Sequence, residues 1–363
     1  MGTLVFITVL SILVIVHEYG HFITARKMGV HVERFAIGFG PKLLSRRIKG
    51  GTEFLICLIP LGGYVKMAGD ERNDCTGKAN EFYSKPIGQR SLIVLAGPIV
   101  NYVFAYICFC VVFMVGYPTM APKVGELIDG YPAQEAGLLV GDTVKQIGQK
   151  KIENWEDLQK TVSRSKGKSL DFLVLRENTP FHVIVNPVGE EAENIFGQKI
   201  QSRFVGMRPE KEIILLRYGP LSAVVKAAQK LGAITTTTYK ALYLMVTGGM
   251  AAKDAVTGPV GIFYMIKEAA QLGFSYVVYL MSVISASLAI FNLLPLPVLD
   301  GGHLFLFGIE KLRGKPLSKK VDEAIHRVGL SMIILLALFV FYTDFARYGF
   351  FDKIVYFAGK IGF

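Results

Sequence analysis

The stretch VIVHEYGHF, residues 14–22, closes an apolar run that begins at Thr3. Two histidines and a glutamate are costly in a segment of that composition, because ionisable groups at membrane depth carry a desolvation penalty and are kept there mainly for function. One reading places His17, Glu18 and His21 at a helix end reaching the membrane–water interface, where polarity is cheap. The other gives a membrane-spanning helix a chemical task, and the rest of the sequence bears on that choice.

Of the 363 residues 52% are hydrophobic and 19% charged, with a mean hydropathy of +0.41. This balance points to spans of about 20 apolar residues. Four are present, at about Thr3–Ile23, Leu92–Val115, Phe274–Leu294 and Val328–Tyr342, the last reaching toward Phe345. The first reads as a span rather than a cleaved leader, since no basic residue precedes it and no small-x-small site closes it. Residues 26–90 hold twelve Lys/Arg against six Asp/Glu, residues 311–327 six against two, and residues 117–273 nineteen against sixteen. The positive-inside rule puts the first two segments in the cytoplasm, and the N-terminus, the 117–273 segment and the C-terminus outside. The net charge of +11 is thereby explained without nucleic acid, as no basic run interleaved with aromatics occurs. Cys57 and Cys75 fall in the cytoplasmic segment and Cys108 and Cys110 in a span, so the external segment has no disulfide framework.

His17 and His21 lie four residues apart and share one face of a helix. With Glu18 between them they form the H-E-x-x-H arrangement, in which two imidazoles hold one metal and the carboxylate handles a proton. Zinc is the usual metal, and a catalytic zinc needs a third protein ligand and an open position. The third span runs in the same direction as the first, and its inner end reads FNLLPLPVLDGGHL, residues 291–304, where Asp300 is the only acid. Pro295 and Pro297 must end or kink the helix, and Gly301 and Gly302 permit an unusual backbone path. A broken helix then presents Asp300 at the depth of His17 and His21. The bland alternative makes Asp300 a turn residue of a loop that caps the span. His303 is close enough to Asp300 to support it, while His31, His182 and His326 read as ordinary surface or strand residues.

His17-Glu18-Tyr19-Gly20-His21 in the first span, together with Asn292-Leu-Leu-Pro295-Leu-Pro297-Val-Leu299-Asp300-Gly301 in the third, resembles the site-2 protease family of intramembrane zinc metalloproteases. The likeness is greatest to its bacterial branch that regulates sigma-E. It extends to the GGYVKMAGD segment, the LAGPIVNYVFA span and the external insert. The resemblance implies one Zn²⁺ per chain held by His17, His21 and Asp300, with Glu18 as general acid/base and Asn292 holding substrate or the oxyanion. It assigns Gly97, Pro98 and Asn101 to close helix packing. It makes Leu61–Met67, and within it Gly63, Tyr64 and Val65, part of a membrane-re-entrant β-hairpin that pairs with an unwound substrate. Some members carry two tandem PDZ domains, but residues 121–209 have room for one.

The external segment also reads independently. GDTVKQIGQKKI (141–152) alternates like a strand pair, NWEDLQKTV (154–162) places Trp155, Leu158 and Val162 on one helical face, and LDFLVLRENTPFHVIV (170–185) reads as two strands around an Asn-Thr-Pro turn. A PDZ domain fits this pattern and would bind an extended peptide by strand addition; a generic α+β insert without ligand fits it too. Residues 226–245 have apolar positions at helical spacing but carry Lys226, Lys230 and Lys240. They read as an interfacial amphipathic helix and a possible substrate gate, with a fifth span as the alternative.

The expected architecture is a polytopic α-helical membrane protein with about four transmembrane helices, an inserted α+β PDZ-like external domain and a re-entrant β-hairpin. Its parts are a first span (1–26), a cytoplasmic segment with the hairpin (27–90), a second span (91–116), a periplasmic PDZ domain (121–209), interfacial helices (219–270), a third span with the N-x-x-P-x-P-x-L-D-G motif (274–310) and a fourth span (328–346). The expected activity is zinc-dependent hydrolysis of peptide bonds inside the spans of single-span proteins, in regulated intramembrane proteolysis at the cell inner membrane, with the active site toward the cytoplasm. By resemblance the substrates are an anti-sigma factor of a stress response and signal-peptide remnants. A membrane-anchored PDZ scaffold without protease activity is the competing class. A metal transporter fits poorly, because the second and fourth spans carry almost no polar residues.

Overall fold

The computed structural model describes residues 2–48, 51–251 and 256–349. Two compact units emerge, the first built from residues 1–111, 221–240 and 252–363, the second from 112–220 and 241–251.

Helix α1 (Gly2–Lys27) contains the HEYGH stretch and ends on a left-handed Gly29. Val30 N–H donates back to Ala25 O and Met28 N–H to Thr24 O, which satisfies the carbonyls a helix end leaves open. Strands β1 (Val32–Arg47) and β2 (Glu53–Met67) follow. Each is long enough to bend back, so that Ala36 pairs with both Tyr64 and Leu55 while Ser45 also pairs with Leu55. The segment Leu61–Met67 is thus the last seven residues of β2, of which Gly63–Met67 pair with residues 32–37. Phe22 of α1 meets Phe35 and Phe54 edge-on, at 5.5 and 5.7 Å between ring centroids, and fixes the sheet to the helix. Helix α2 (Ile87–Val115) contains Pro98, which has no N–H to offer the carbonyl of Val94. A Cβ on Gly20 of α1 would lie 2.5 Å from the carbonyl oxygen of Ala96 and 3.0 Å from Gly97 Cα. Glycine at position 20 is what lets the two backbones touch.

The second unit follows, with β3 (Tyr117–Met120), β4 (Val124–Leu127), α3 (Pro132–Glu135), β5 (Thr143–Ile147), β6 (Lys150–Lys151), α4 (Trp155–Ser163), β7 (Leu170–Arg176), β8 (Thr179–Val185), β9 (Val188–Glu193), β10 (Lys199–Phe204), β11 (Met207–Pro209) and β12 (Ile213–Leu216). A four-stranded antiparallel sheet runs in the order β6-β5-β7-β8. Phe172, Val174, Val183 and Val185 alternate into the core, where Leu158 and Val162 of α4 cover them. Asn154 Oδ1 accepts from Asp157 N–H at 2.8 Å and starts α4. The turn between β7 and β8 falls on Glu177 and Asn178, both at positive φ (46° and 68°), rather than on Asn-Thr-Pro. A two-residue turn of that hand matches the twist of the flanking strands, and Pro180 is tolerated because β8 is an edge strand. Asp142 is buried and accepts from Leu139 N–H and from Arg176 Nε and Nη2, all at 2.8 Å.

The chain continues with α5 (Pro220–Val246), α6 (Pro259–Leu272), α7 (Phe274–Asn292), α8 (Asp300–Arg313) and α9 (Lys319–Arg347). In the first unit, α5 meets α2 through Tyr102 Oη and Thr235 Oγ1, 2.8 Å apart. Among the described residues, four helices are long and apolar enough to cross a membrane: α1, α2, α7 and α9 from Lys320. Helix α5 is not one of them. Asp344 of α9 is buried and accepts from the amides of Gly258 (3.1 Å) and Gly261 (2.9 Å) at the start of α6. A carboxylate there meets the positive end of the helix dipole. The side chain of His326 lies outside the described set.

Trp155 is the only tryptophan and packs on the core of the second unit, so its fluorescence reports that unit's unfolding. Truncating the fully buried Phe172 to alanine is expected to cost about 3–5 kcal/mol, seen as an earlier urea transition of Trp155 emission.

Candidate metal centre

One turn of α1 separates His17 from His21, and their rings pack edge to face with centroids 4.8 Å apart. Their Nε2 atoms lie 3.2 Å from each other. The third group arrives from the other end of the chain. Helix α7 stops at Asn292, and Pro295 and Pro297 keep the next residues out of helical geometry. Val298 is held at φ +77°, a strained conformation for a β-branched residue and a type of outlier that clusters at functional sites. Asp300 then opens α8. A Cβ on Gly301 would fall 2.3 Å from the carbonyl oxygens of Leu293 and Leu294, and one on Gly302 would fall 2.2 Å from that of Leu296. Only glycine lets the broken segment fold onto the first turn of α8 so tightly.

Asp300 Oδ2 lies 3.2 Å from His17 Nε2, and Oδ1 lies 3.5 Å from His21 Nε2. Among the described residues this is the one group of three or more His, Cys, Asp or Glu side chains that could hold a metal, with one ligand atom from each within 4.8 Å of the others. The chemistry of the cluster fits a cation. His21 Nδ1 lies 2.9 Å from the carbonyl oxygen of Ile93 and must spend its ring proton there, leaving a lone pair on Nε2. Asp300 Oδ2 is buried without a hydrogen-bond partner. Two imidazoles and a carboxylate at this spacing suit Zn²⁺. A Cβ on Gly97 would sit 2.3 Å from His21 Nε2 and 2.9 Å from His17 Cε1, so the second span leaves room for the centre by having no side chain there.

Most of the chain matches one family: residues 5–336 fit peptidase family M50. The chain belongs to that family. It is 34% identical to a protein of Mesorhizobium japonicum named as a zinc metalloprotease, over 95% of this chain and 98% of that one. A Clostridium acetobutylicum protein of the same naming is 35% identical over 92% and 94%. The regulator of sigma-E protease RseP of Escherichia coli is 30% identical over 94% of this chain and 98% of its own. The last alignment runs over 446 positions against a chain of 363, so that relative has residues for which this M50 chain holds no counterpart. The chain is a zinc metalloprotease.

A cleft of about 560 Å³ opens on the M50 centre. It is lined by His17, Glu18, His21 and Asp300, by Tyr64 and Val65 of β2, and by Asn292 at the last turn of α7. Gly63 does not line it. Its missing Cβ, 2.9 Å from Val14 Cγ1 and 3.5 Å from Glu18 Cγ, lets β2 lie against the face of α1 that bears Glu18. His303 lines the same cleft. So do Lys66, Met67 and Asp70 of the GGYVKMAGD segment, together with Phe82 and Tyr83, which the sequence did not single out. The segment before Phe82 is organised by Glu81, whose carboxylate accepts from the amides of Thr76, Gly77 and Lys78 and from Thr76 Oγ1. Led by the Thr76 hydroxyl, these donors hold its pKa at about 2, against 4.5 ordinarily. The folded pKa is depressed, so this contribution to the loop is complete above about pH 4.5 and is lost as pH falls toward 2. Cys75 Sγ also donates to Glu81, at 3.3 Å. At the far end of α8, Glu310 accepts from Arg90 (2.6 Å) and Arg72 (2.8 Å), which ties the helix that begins with Asp300 to the base of α2.

Gly302→Ala is expected to displace Asp300 and lower zinc affinity about 10–100-fold, whereas Glu18→Gln retains zinc. Metal analysis of the two purified proteins after chelator competition checks both.

Proposed function

We propose that this M50 enzyme hydrolyses peptide bonds within transmembrane segments of single-span membrane proteins. His17, His21 and Asp300 hold one Zn²⁺ per chain, and Glu18 is the general acid/base. The observation that carries the reading is the convergence of His17, His21 and Asp300 beside Glu18 in one cleft, between helices suited to lipid.

Zinc, when bound there, supplies Lewis-acid chemistry and makes a water nucleophile available at neutral pH. Glu18 accepts the proton of that water and returns it to the leaving amine. Asn292, at the rim of the same cleft, donates to the oxygen on which negative charge develops. A transmembrane helix hides its peptide bonds, so the substrate must unwind before it can be cut. Tyr64 and Val65 face the cleft from β2, and its 63–67 stretch takes up the freed backbone groups by strand addition in a membrane-re-entrant hairpin.

Residues 121–209 act as one PDZ domain outside the membrane, and residues 226–245 lie at the outer interface. The excess of Lys and Arg in 26–90 and 311–327 supports an inner-membrane orientation with the active site toward the cytoplasm. Likeness to the E. coli sigma-E regulator supports an anti-sigma factor as substrate, with signal-peptide remnants as a second group.

The test is cleavage of a tagged, externally truncated single-span reporter in cells. At matched expression Glu18→Gln is expected to lower cleavage about 10²–10⁴-fold. Equal cleavage by both proteins rejects the assignment of Glu18.

A further inference from the structure

Asn101 lies on α2, 1% exposed. Its backbone carbonyl accepts from Ser285 Oγ of α7 at 2.8 Å. Its side-chain amide reaches His17, with Nδ2 at 3.4 Å from His17 Nδ1. In that orientation the amide oxygen Oδ1 is buried without a partner.

The two observations have a single resolution. His17 Nε2 faces Asp300 Oδ2 and His21 Nε2, and to offer a lone pair to a metal it must be unprotonated. The ring proton then sits on Nδ1, pointing at Asn101. An N–H facing an NH₂ sets donor against donor. The oxygen and nitrogen of an amide are assigned from their partners, and exchanging them puts Oδ1 against the Nδ1 proton and leaves no orphaned oxygen. We propose that Asn101 is a positioning residue of the metal centre: its Oδ1 accepts the Nδ1 proton of His17, which fixes that tautomer and aims Nε2 at the metal. This inference rests on the reading of His17, His21 and Asp300 as zinc ligands.

The other histidine is held in the same way from the same helix, by the carbonyl oxygen of Ile93 on Nδ1 of His21 at 2.9 Å. Ile93, Gly97 and Asn101 are spaced by four and share one face of α2. The outer two hold the histidines, and Gly97 between them provides clearance. One anchor is backbone and survives any substitution. The other is a side chain, so only Asn101 can be removed. Outer partners of this kind raise the basicity of a ligating imidazole and are worth about 10–100-fold in metal affinity.

The experiment is zinc affinity by chelator competition on the purified full chain, with the visible spectrum of the Co²⁺-loaded protein as second readout. Asn101→Leu, similar in size but without an acceptor, is expected to weaken zinc about 10–100-fold and shift the cobalt spectrum. Asn101→Asp, which keeps an acceptor in place, is expected to stay close to wild type. Asn101→Ala replaces the leucine variant if that does not fold, with the same expected loss. Ser285→Ala, which removes the bond to the Asn101 backbone only, is expected to change nothing. If Asn101→Leu binds zinc like wild type while His17→Ala does not, the positioning role is wrong and the ligand reading stands. If Asn101→Asp is as weak as Asn101→Leu, Asn101 only packs, and the proposal fails. If His17→Ala binds zinc like wild type, both the proposal and the ligand reading fail.

Discussion

Three lone-pair donors converge from helices distant in the chain: Nε2 of His17, Nε2 of His21 and the carboxylate of Asp300, all within 4.8 Å. In a solvated loop such a cluster could separate and hydrate. Fixed on packed helices it cannot separate, and each uncompensated buried group there is costly. Most other features of unit 1 serve to bring these donors together and keep them there. Gly20 lets α1 and α2 touch backbone to backbone, and Gly97 leaves room for the two imidazoles. Gly301 and Gly302 let a broken helix fold over its own successor, at the cost of a strained Val298. The buried contacts of Glu310 with Arg90 and Arg72 hold the far end of α8. Buried ion pairs are weak evidence for stability, but this one fixes the helix on whose first residue the centre depends.

A hydrolase in this setting must also admit an extended peptide. The cleft is bounded on one side by β2, whose residues 64–67 line it, and on another by Phe82 and Tyr83. The loop before them is held by a carboxylate that collects backbone amides, a device insensitive to pH anywhere above the acid range. The loop at the cleft wall is therefore built from local hydrogen bonds, whereas His17, His21 and Asp300 are brought together by long-range packing. Packing through small residues is the arrangement available to helices in lipid, where no hydrophobic force drives them together.

The parts of this design that were legible in the sequence are those with a short period or a punctuating residue. The four-residue spacing of His17 and His21, the prolines at 295 and 297, and Asp300 as the only acid among residues 291–304 could all be read directly. So could α4, whose Trp155, Leu158 and Val162 share a face. What was not legible depends on contacts between distant segments. Asn101 reads as a packing residue until His17, 84 positions away, is seen beside it. The Ile93 carbonyl has no side-chain signature. The wall formed by Phe82 and Tyr83 lacks periodicity, and the turn at Glu177–Asn178 was obscured by the proline that follows it. The double pairing of β1 and β2 arises because each strand bends in mid-course.

Zinc X-ray absorption on the purified wild-type chain tests the central claim most directly. The account predicts a first shell of nitrogen and oxygen at about 2.0–2.2 Å, with the outer-shell scattering of two imidazoles. A sulfur shell at about 2.3 Å would place the metal on cysteine, and loss of the imidazole signal would remove it from α1. Either result contradicts a centre built from His17, His21 and Asp300.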